Sequence, residues 1–228
     1  MKAALRLARH EWHLILNEPR FLLPFLVSPL VLIGIQSFAV FFRGAASPSE
    51  AYVLAKTLLM MLAVLAPSMA VPLGADSFAG EKERNTLEIL LCLPVGPLSL
   101  FWGKVLGILP MPVLVGWLGQ GILLGVLASR VPLPPEALPE LSRAFGLTPA
   151  VGLFFGAFSA RVSLGAETVR GAAQLGSLGM LAVFGVVISL SGALQASAAW
   201  YAGTVAALLL GAGLCLLSAR RRFLRLPA

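Results

Sequence analysis

The side chains with the most chemistry to offer are Glu81, Lys82, Glu83 and Arg84, four consecutive ionisable residues followed at helical spacing by Glu88, within the stretch 78–104 of a chain that is otherwise mostly apolar. Alternating carboxylates and cations suit ion pairing and docking. Glu81 with Arg84, and Arg84 with Glu88, fall at i,i+3 and i,i+4, so one polar helix face can pair with itself in water, each pair contributing only about 0.2–0.5 kcal/mol. Leu87, Leu90 and Leu91 make an apolar face. The spacing predicts one short helix from Glu81 to Cys92, closed by Pro94, with Gly96 and Pro97 turning the chain into the next element. Three turns cannot stay folded alone, so the helix needs packing against its neighbours or a partner. Two readings follow: a solvated loop whose charges enforce topology, or a docking helix whose Glu81, Lys82, Glu83 and Arg84 meet charged groups of a soluble protein while its leucines anchor inward.

Other reactive residue types are sparse. His10 and His13 stand at i,i+3 and could share a helix face toward a metal or haem, but no third ligand is near in sequence. Cys92 and Cys215 sit in apolar surroundings without metal-ligand spacing and read as packing residues. No G-x-x-x-x-G-K-[ST] occurs; at Gly96–Val105 the glycine spacing is wrong, and Val105 stands where the Mg-binding Ser or Thr would be. The chain therefore binds no ATP of its own by this motif.

The elements that must position these residues are membrane helices. The chain has 228 residues, 58% hydrophobic and 12% charged, about half the roughly 25% charge of a soluble domain, and its mean hydropathy is +0.91. Six apolar runs, near 22–42, 53–75, 105–127, 145–160, 174–194 and 198–217, read as spans of roughly 20 residues each, with 1–228 forming a single transmembrane domain. The fourth is short, and the last two, separated only by Ser191–Ser197, predict a tight hairpin. Residues 3–16 form an amphipathic elbow helix with Leu5, Ala8, Trp12 and Ile15 on its apolar side, ended by Asn17-Glu18-Pro19. The first run is about 20 residues and is preceded by Glu11 and Glu18, unlike a cleaved signal peptide, so it is expected to be retained.

Charge sets the orientation. With both termini cytoplasmic, Lys2, Arg6, Arg9, Arg20, Lys82, Arg84, Lys104, Arg161, Arg170, Arg220, Arg221, Arg222 and Arg225 fall inside, and only Arg43, Lys56, Arg130 and Arg143 fall outside. Basic residues near span ends resist translocation, so this topology is preferred. The formal net charge of +7 therefore serves topology; no aromatic-interleaved basic patch points to nucleic acid. Lys56, Asp76 and Lys104 lie near span ends, and no ionisable residue falls at a midplane, which favours an external energy source over an ion-coupled carrier. Pro67, Pro72, Pro110 and Pro112 can kink the spans on either side of the charged island. Gly152-x-x-x-Gly156 permits close helix approach.

The run Phe78–Leu91, followed by Pro94 and by Gly103-Lys104, resembles the loop between the second and third spans of type-2 ATP-binding-cassette exporter permeases. The family pattern E-x-E-x-x-T-L-E-x-L-L-x-x-P is matched at Glu81, Glu83, Thr86, Leu87, Glu88, Leu90, Leu91 and Pro94. The elbow helix, six spans, final hairpin and basic tail are similar as well. The short, Pro-rich external loop Ser129–Arg143 departs from members with large external domains. The resemblance implies an all-α integral membrane fold with six spans, in which residues 80–94 are a cytoplasmic coupling helix for a separate ABC ATPase subunit. Its docking residues would be Glu81, Lys82, Glu83, Arg84, Thr86, Leu87, Glu88, Leu91 and Pro94. It also implies a second permease copy or related permease, an inner-membrane location, ATP and Mg held only by the partner, and a non-catalytic role in export; the cargo itself is not identified by the resemblance, and the apolar interior suits a lipid-like or amphiphilic one. The haem-exporter membrane subunit of cytochrome c maturation is a similar alternative; a secondary carrier and a non-transporting membrane assembly subunit are the alternatives from other classes.

Overall fold

The computed structural model describes residues 2–17, the single positions 31 and 34, 48–92, 95–129 and 137–225. These are helical throughout apart from turns, and five helical stretches are long and apolar enough to cross a membrane: Lys56–Glu83, Pro97–Val126, Leu138–Ser163, Val169–Ser189 and Ala198–Phe223. The first predicted span, 22–42, lies outside the described residues but for positions 31 and 34. Pro94, Arg20, Arg43 and Arg130 lie outside them too.

Helix α1 spans Lys2–Asn17. The next span is a composite of α2 (Pro48–Leu65), a 3-10 turn at Pro67–Met69, α3 (Ala70–Ala75), a π turn at Asp76–Gly80 and α4 (Glu81–Glu83). Proline has no N–H to continue the helical ladder, so the tightening at Pro67 is a local consequence of sequence. A short α5 (Leu87–Leu91) precedes α6 (Pro97–Ile108) and α7 (Pro110–Ala128), which together make the next span, broken at Leu109 ahead of Pro110. Then come α8 (Ala137–Ser163), α9 (Val169–Ser189), α10 (Ser191–Ala196) and α11 (Ala198–Phe223).

Helix α8 is the central strut, with α2, α3, α7, α9 and α11 all packed on it. Leu59, Met60, Leu147, Val151 and Phe155 are wholly buried there. At 27 residues α8 is far longer than the run 145–160 that hydropathy picks out. Its first turns carry Glu140 and Arg143, which disguise them as loop. Glu140 is paired with Lys56, and the Tyr52 hydroxyl donates to Glu140 Oε2 at 2.9 Å. Arg143 donates to the Gln195 carbonyl, and Gln195 Nε2 to that of Lys56 at 3.1 Å. Polar residues thus tie α2, α8 and α10 together at one end of the bundle.

The expected hairpin of the last two spans is also corrected. Residues 191–196 fold as α10, with Leu194 and Gln195 buried. Helices α9 and α11 both lean on α8 instead of on each other, leaving an apolar groove between them lined by Val183, Val187, Leu190, Trp200, Thr204 and Leu208. Gly152 and Gly156 face inward: an added Cβ would come within 2.7 Å of Val113 and 2.5 Å of Leu109. That small-residue motif is used within the chain, against α7 and the break at Leu109.

Buried hydroxyls and amides repair the backbone where it departs from the α ladder. A regular helix would bond Ala79 N–H to the Ala75 carbonyl, but the π turn opens that bond. Ser163 fills the gap, accepting from Ala79 N at 2.8 Å and donating to Ala75 O at 2.9 Å. Pro149 inside α8 leaves the Phe145 carbonyl without its helical donor, and the Trp117 indole supplies one at 3.0 Å. Gln120, wholly buried, donates to the Leu59 and Ala144 carbonyls and accepts from Thr148. Unpaired backbone groups are costly in an apolar medium, which accounts for these side chains inside the bundle.

Candidate docking site

The charged island does not form one helix. Arg84–Thr86 interrupts it, with Asn85 in the left-handed region at φ 56°. Asn85 N bonds to Lys82 O at 3.0 Å and Thr86 N to Glu81 O at 2.9 Å, the paired bonds that close a helix through a left-handed residue. Asparagine tolerates that conformation better than most residues. The Thr86 hydroxyl bonds both the Glu81 carboxylate and the Glu81 carbonyl, which consolidates the stop. Periodicity predicted continuation to Cys92; local capping at Asn85 overrides it.

The expected internal pairs of that helix are replaced by longer-range ones. Arg84, itself largely exposed, reaches Asp76 at the start of the π turn at 3.0 Å. Glu81 Oε1 lies 3.2 Å from Lys104 Nζ, and the same ammonium lies 3.0 Å from Glu11 of α1. Lys104 is only 2% exposed, so it is a buried link among three elements instead of a basic residue at a span mouth. Close approach is required to reach Glu11, and glycines one turn apart permit it: a Cβ at Gly103 would come 2.6 Å from Leu7 Cβ, and one at Gly107 2.8 Å from Glu11 Cβ.

Helix α1 buries only part of the face predicted, Ala8 and half of Trp12, and is turned so that Leu5 faces away. Ala4 and Ala8 are buried against α6 with Leu7 and Glu11 alongside, while Leu5 is 58% exposed. Trp12 is half-buried, and the Ile15 side chain lies outside the described residues.

Lys82 and Glu83 also turn toward the chain itself. Lys82 Nζ donates to the Leu164 and Ala166 carbonyls at 2.7 and 3.3 Å, satisfying the C-terminal end of α8. Glu83 Oε2 accepts from Val169 N at 3.0 Å, at the start of α9. A carboxylate at a helix N-terminus and a cation at a C-terminus are the favourable signs. Beneath them Leu87 is buried in a cluster with Phe78, Phe101 and Phe223, whose ring centroids stand 5.7–6.0 Å apart. Leu90 packs on its edge.

The turn is therefore fixed to α1, α6, the α8–α9 connection and the end of α11, all at one end of the bundle. Glu83, Arg84, Asn85, Glu88, Ile89 and Cys92 are left exposed, Ile89 by 66%. Cys92 is not the packing residue its neighbours suggested. Of the predicted docking residues, Glu88 and Arg84 face outward, Arg84 while paired with Asp76; Glu81, Lys82, Thr86 and Leu87 hold the turn in place, and Glu83 does so from an exposed position. Leu91 lies on α5, its side chain outside the described residues, as is Pro94. Glu11, Gly103 and Gly107 were missed as parts of this site, although the glycine pair bracketing Lys104 is visible in the sequence.

No group of three or more His, Cys, Asp or Glu able to hold a metal occurs among the described residues. His10 and His13 are both exposed on α1. Across residues 5–210 the chain matches the model of the family described as ABC-2 family transporter protein. It belongs to the ABC-2 transporter family. As an ABC-2 type permease it is a multi-pass membrane protein of a transport system, and permeases of this family work with an ABC ATPase subunit. No curated protein matches the chain.

Proposed function

We propose that this ABC-2 permease is the membrane subunit of an ATP-driven exporter, with residues 80–94 as the contact for a separate ATPase that holds ATP and Mg. The observation that carries the reading is the division of labour within the turn. Its inner side chains bind four neighbouring elements of the permease, while Asn85, Glu88, Ile89 and Cys92 are presented outward.

A segment fixed in this way transmits displacement. Pressure on α5 moves α4 and the π turn through the Schellman-type stop, α6 and α1 through Lys104, and α9 through Glu83. Closure of two ATPase subunits would then shift two permease bundles, identical or related, toward release of cargo. The π turn and the breaks at Pro67 and Leu109 are the deformable points along the two spans that the turn connects. The end carrying the turn is assigned to the cytoplasm of a cell with the permease in its inner membrane, since the turn, α1 and the basic end of α11 share that end and basic residues resist translocation. Cargo is assigned only as an amphiphilic molecule, from the apolar interior.

The test is co-purification of the ATPase with the full-length permease from its native membrane. Glu88→Arg combined with Ile89→Ser should abolish retention and ATP-dependent transport while the permease keeps its thermal stability. Wild-type permease that retains no ATPase, or a variant that retains it fully, overturns the docking assignment. Glu81 is a poor probe, because its charge also stabilises Lys104.

A further inference from the structure

A second charged feature lies at the same end of the bundle, beside the docking turn, with Arg222 against Gly165 of the connection that Lys82 also contacts. Arg161 in the last turn of α8, Arg221 and Arg222 in the last turn of α11, and Arg225 in the turn that follows it line one groove of about 620 Å³. Its remaining wall is Leu214, Leu217 and Ser218. No carboxylate lines the groove, and among the described residues none of the four arginines has one within ion-pair distance.

Guanidiniums gathered without a counter-charge repel one another, so the arrangement favours an anion. Planar guanidiniums from two helices match the oxygens of a phosphate particularly well. The Ser218 hydroxyl donates to the Cys215 carbonyl at 2.9 Å, so recognition falls to the arginines.

The order of residues along α11 narrows the ligand. Leu214, Leu217, Ser218, Arg221 and Arg225 recur at helical spacing and form one stripe, apolar first and cationic last. Leu214 and Leu217 are 69% and 52% exposed. Such a stripe presents hydrocarbon to an acyl chain and guanidinium to the headgroup above it. A free phosphate ion would have no use for the leucines.

We infer that this groove binds the headgroup phosphate of an anionic phospholipid, its acyl chain lying along Leu214 and Leu217. Arg161 distinguishes such a site from a merely basic tail, because it comes from another helix. Arg220 provides the matching control: it is exposed at the same helix end but does not line the groove.

Detergent-purified full-length protein should be titrated with phosphatidylglycerol, phosphatidylcholine and inorganic phosphate, with bound lipid counted by native mass spectrometry. Phosphatidylglycerol should bind saturably and in preference to phosphatidylcholine. Each arginine near a lipid phosphate contributes enough to change affinity roughly fivefold, so Arg221→Gln with Arg225→Gln should weaken phosphatidylglycerol by more than about tenfold. Arg161→Gln alone should weaken it several-fold. Arg220→Gln with Arg170→Gln, removing the same charge from exposed positions outside the groove, should leave affinity within about twofold. Equal weakening in that control overturns the site in favour of diffuse charge. Equal binding of phosphatidylcholine, or groove-dependent binding of inorganic phosphate without phosphatidylglycerol, overturns the lipid assignment. Both groove variants being folded is checked by an unchanged elution profile and melting temperature; a misfolded Arg161→Gln leaves the surface pair as the deciding measurement.

Discussion

Lys104 places its ammonium 3.0 Å from the carboxylate of Glu11, a residue 93 positions earlier on the helix that lies across it. The same nitrogen meets Glu81 at 3.2 Å. One buried cation thus holds the N-terminal helix, the end of one span and the start of the next.

Removing that cation should be costly. Lys104→Met leaves Glu11 and Glu81 without their shared cation; both are partly exposed and Glu81 keeps its Thr86 bond, so the cost should fall below the about 3–5 kcal/mol typical of breaking a fully buried ion pair from one side. The melting temperature of the purified permease should fall, and α1 should become the first segment cut by protease. Adding Glu11→Gln and Glu81→Gln to Lys104→Met should recover much of the loss, since the stranded charges are gone. A triple variant no better than the single would show that Lys104 contributes packing alone.

The Ser163 hydroxyl replaces one helical bond in the π turn with two. Ser163→Ala leaves Ala79 N–H and the Ala75 carbonyl without their bridge, at a cost of about 1–3 kcal/mol if the turn keeps its shape. Hydrogen exchange at Ala79 should accelerate in the variant. Retained protection at Ala79 would mean that the turn had relaxed to an ordinary α ladder.

The docking turn separates support from contact. Leu87→Ala opens space in the Phe78, Phe101 and Phe223 cluster and should destabilise the permease by about 2–5 kcal/mol. Glu88→Arg, on an exposed side chain, should change stability by less than about 0.5 kcal/mol yet reduce ATPase retention. Thermal melts and co-purification on the same two variants check the contrast. If Glu88→Arg melts as low as Leu87→Ala, the outward face is structural after all.

Much of this architecture could be read from hydropathy, because a bilayer demands long apolar helices and the chain supplies them in order. What hydropathy misplaced were segments where distant charges neutralise each other. The first turns of α8 look like a loop until Lys56 meets Glu140. Lys104 looks like a span-mouth cation until Glu11 and Glu81 arrive from other elements. The break at Asn85 was legible in principle, since asparagine before Thr86 is an acceptable left-handed stop, but the strong 3.6 periodicity of Leu87, Leu90 and Leu91 argued for continuation. The inward roles of Lys82 and Glu83 depend on helix ends more than eighty residues away, which no local pattern encodes.

Close contact between α1 and α6 leaves the last prediction on Gly103. An added methyl would stand 2.6 Å from Leu7 Cβ and 3.2 Å from the Ala4 carbonyl. Neither atom is the free end of a flexible side chain, so the helices themselves must separate. Gly103→Ala should therefore destabilise by about 1–3 kcal/mol, the usual range for overpacking, although alanine is the better helix former. Gly121, with no atom within 4 Å of an added Cβ, provides the reverse case: Gly121→Ala should be neutral or stabilise by up to about 1 kcal/mol. Melting temperatures of the two variants should move in opposite directions or leave Gly121→Ala unchanged. Separation of α1 also pulls Glu11 from Lys104, so Gly103→Ala should lose the additional stability that Glu11→Gln would otherwise remove. A double-mutant cycle between Gly103→Ala and Glu11→Gln measures this dependence directly, and strictly additive effects would show that the glycine contact and the ion pair act independently.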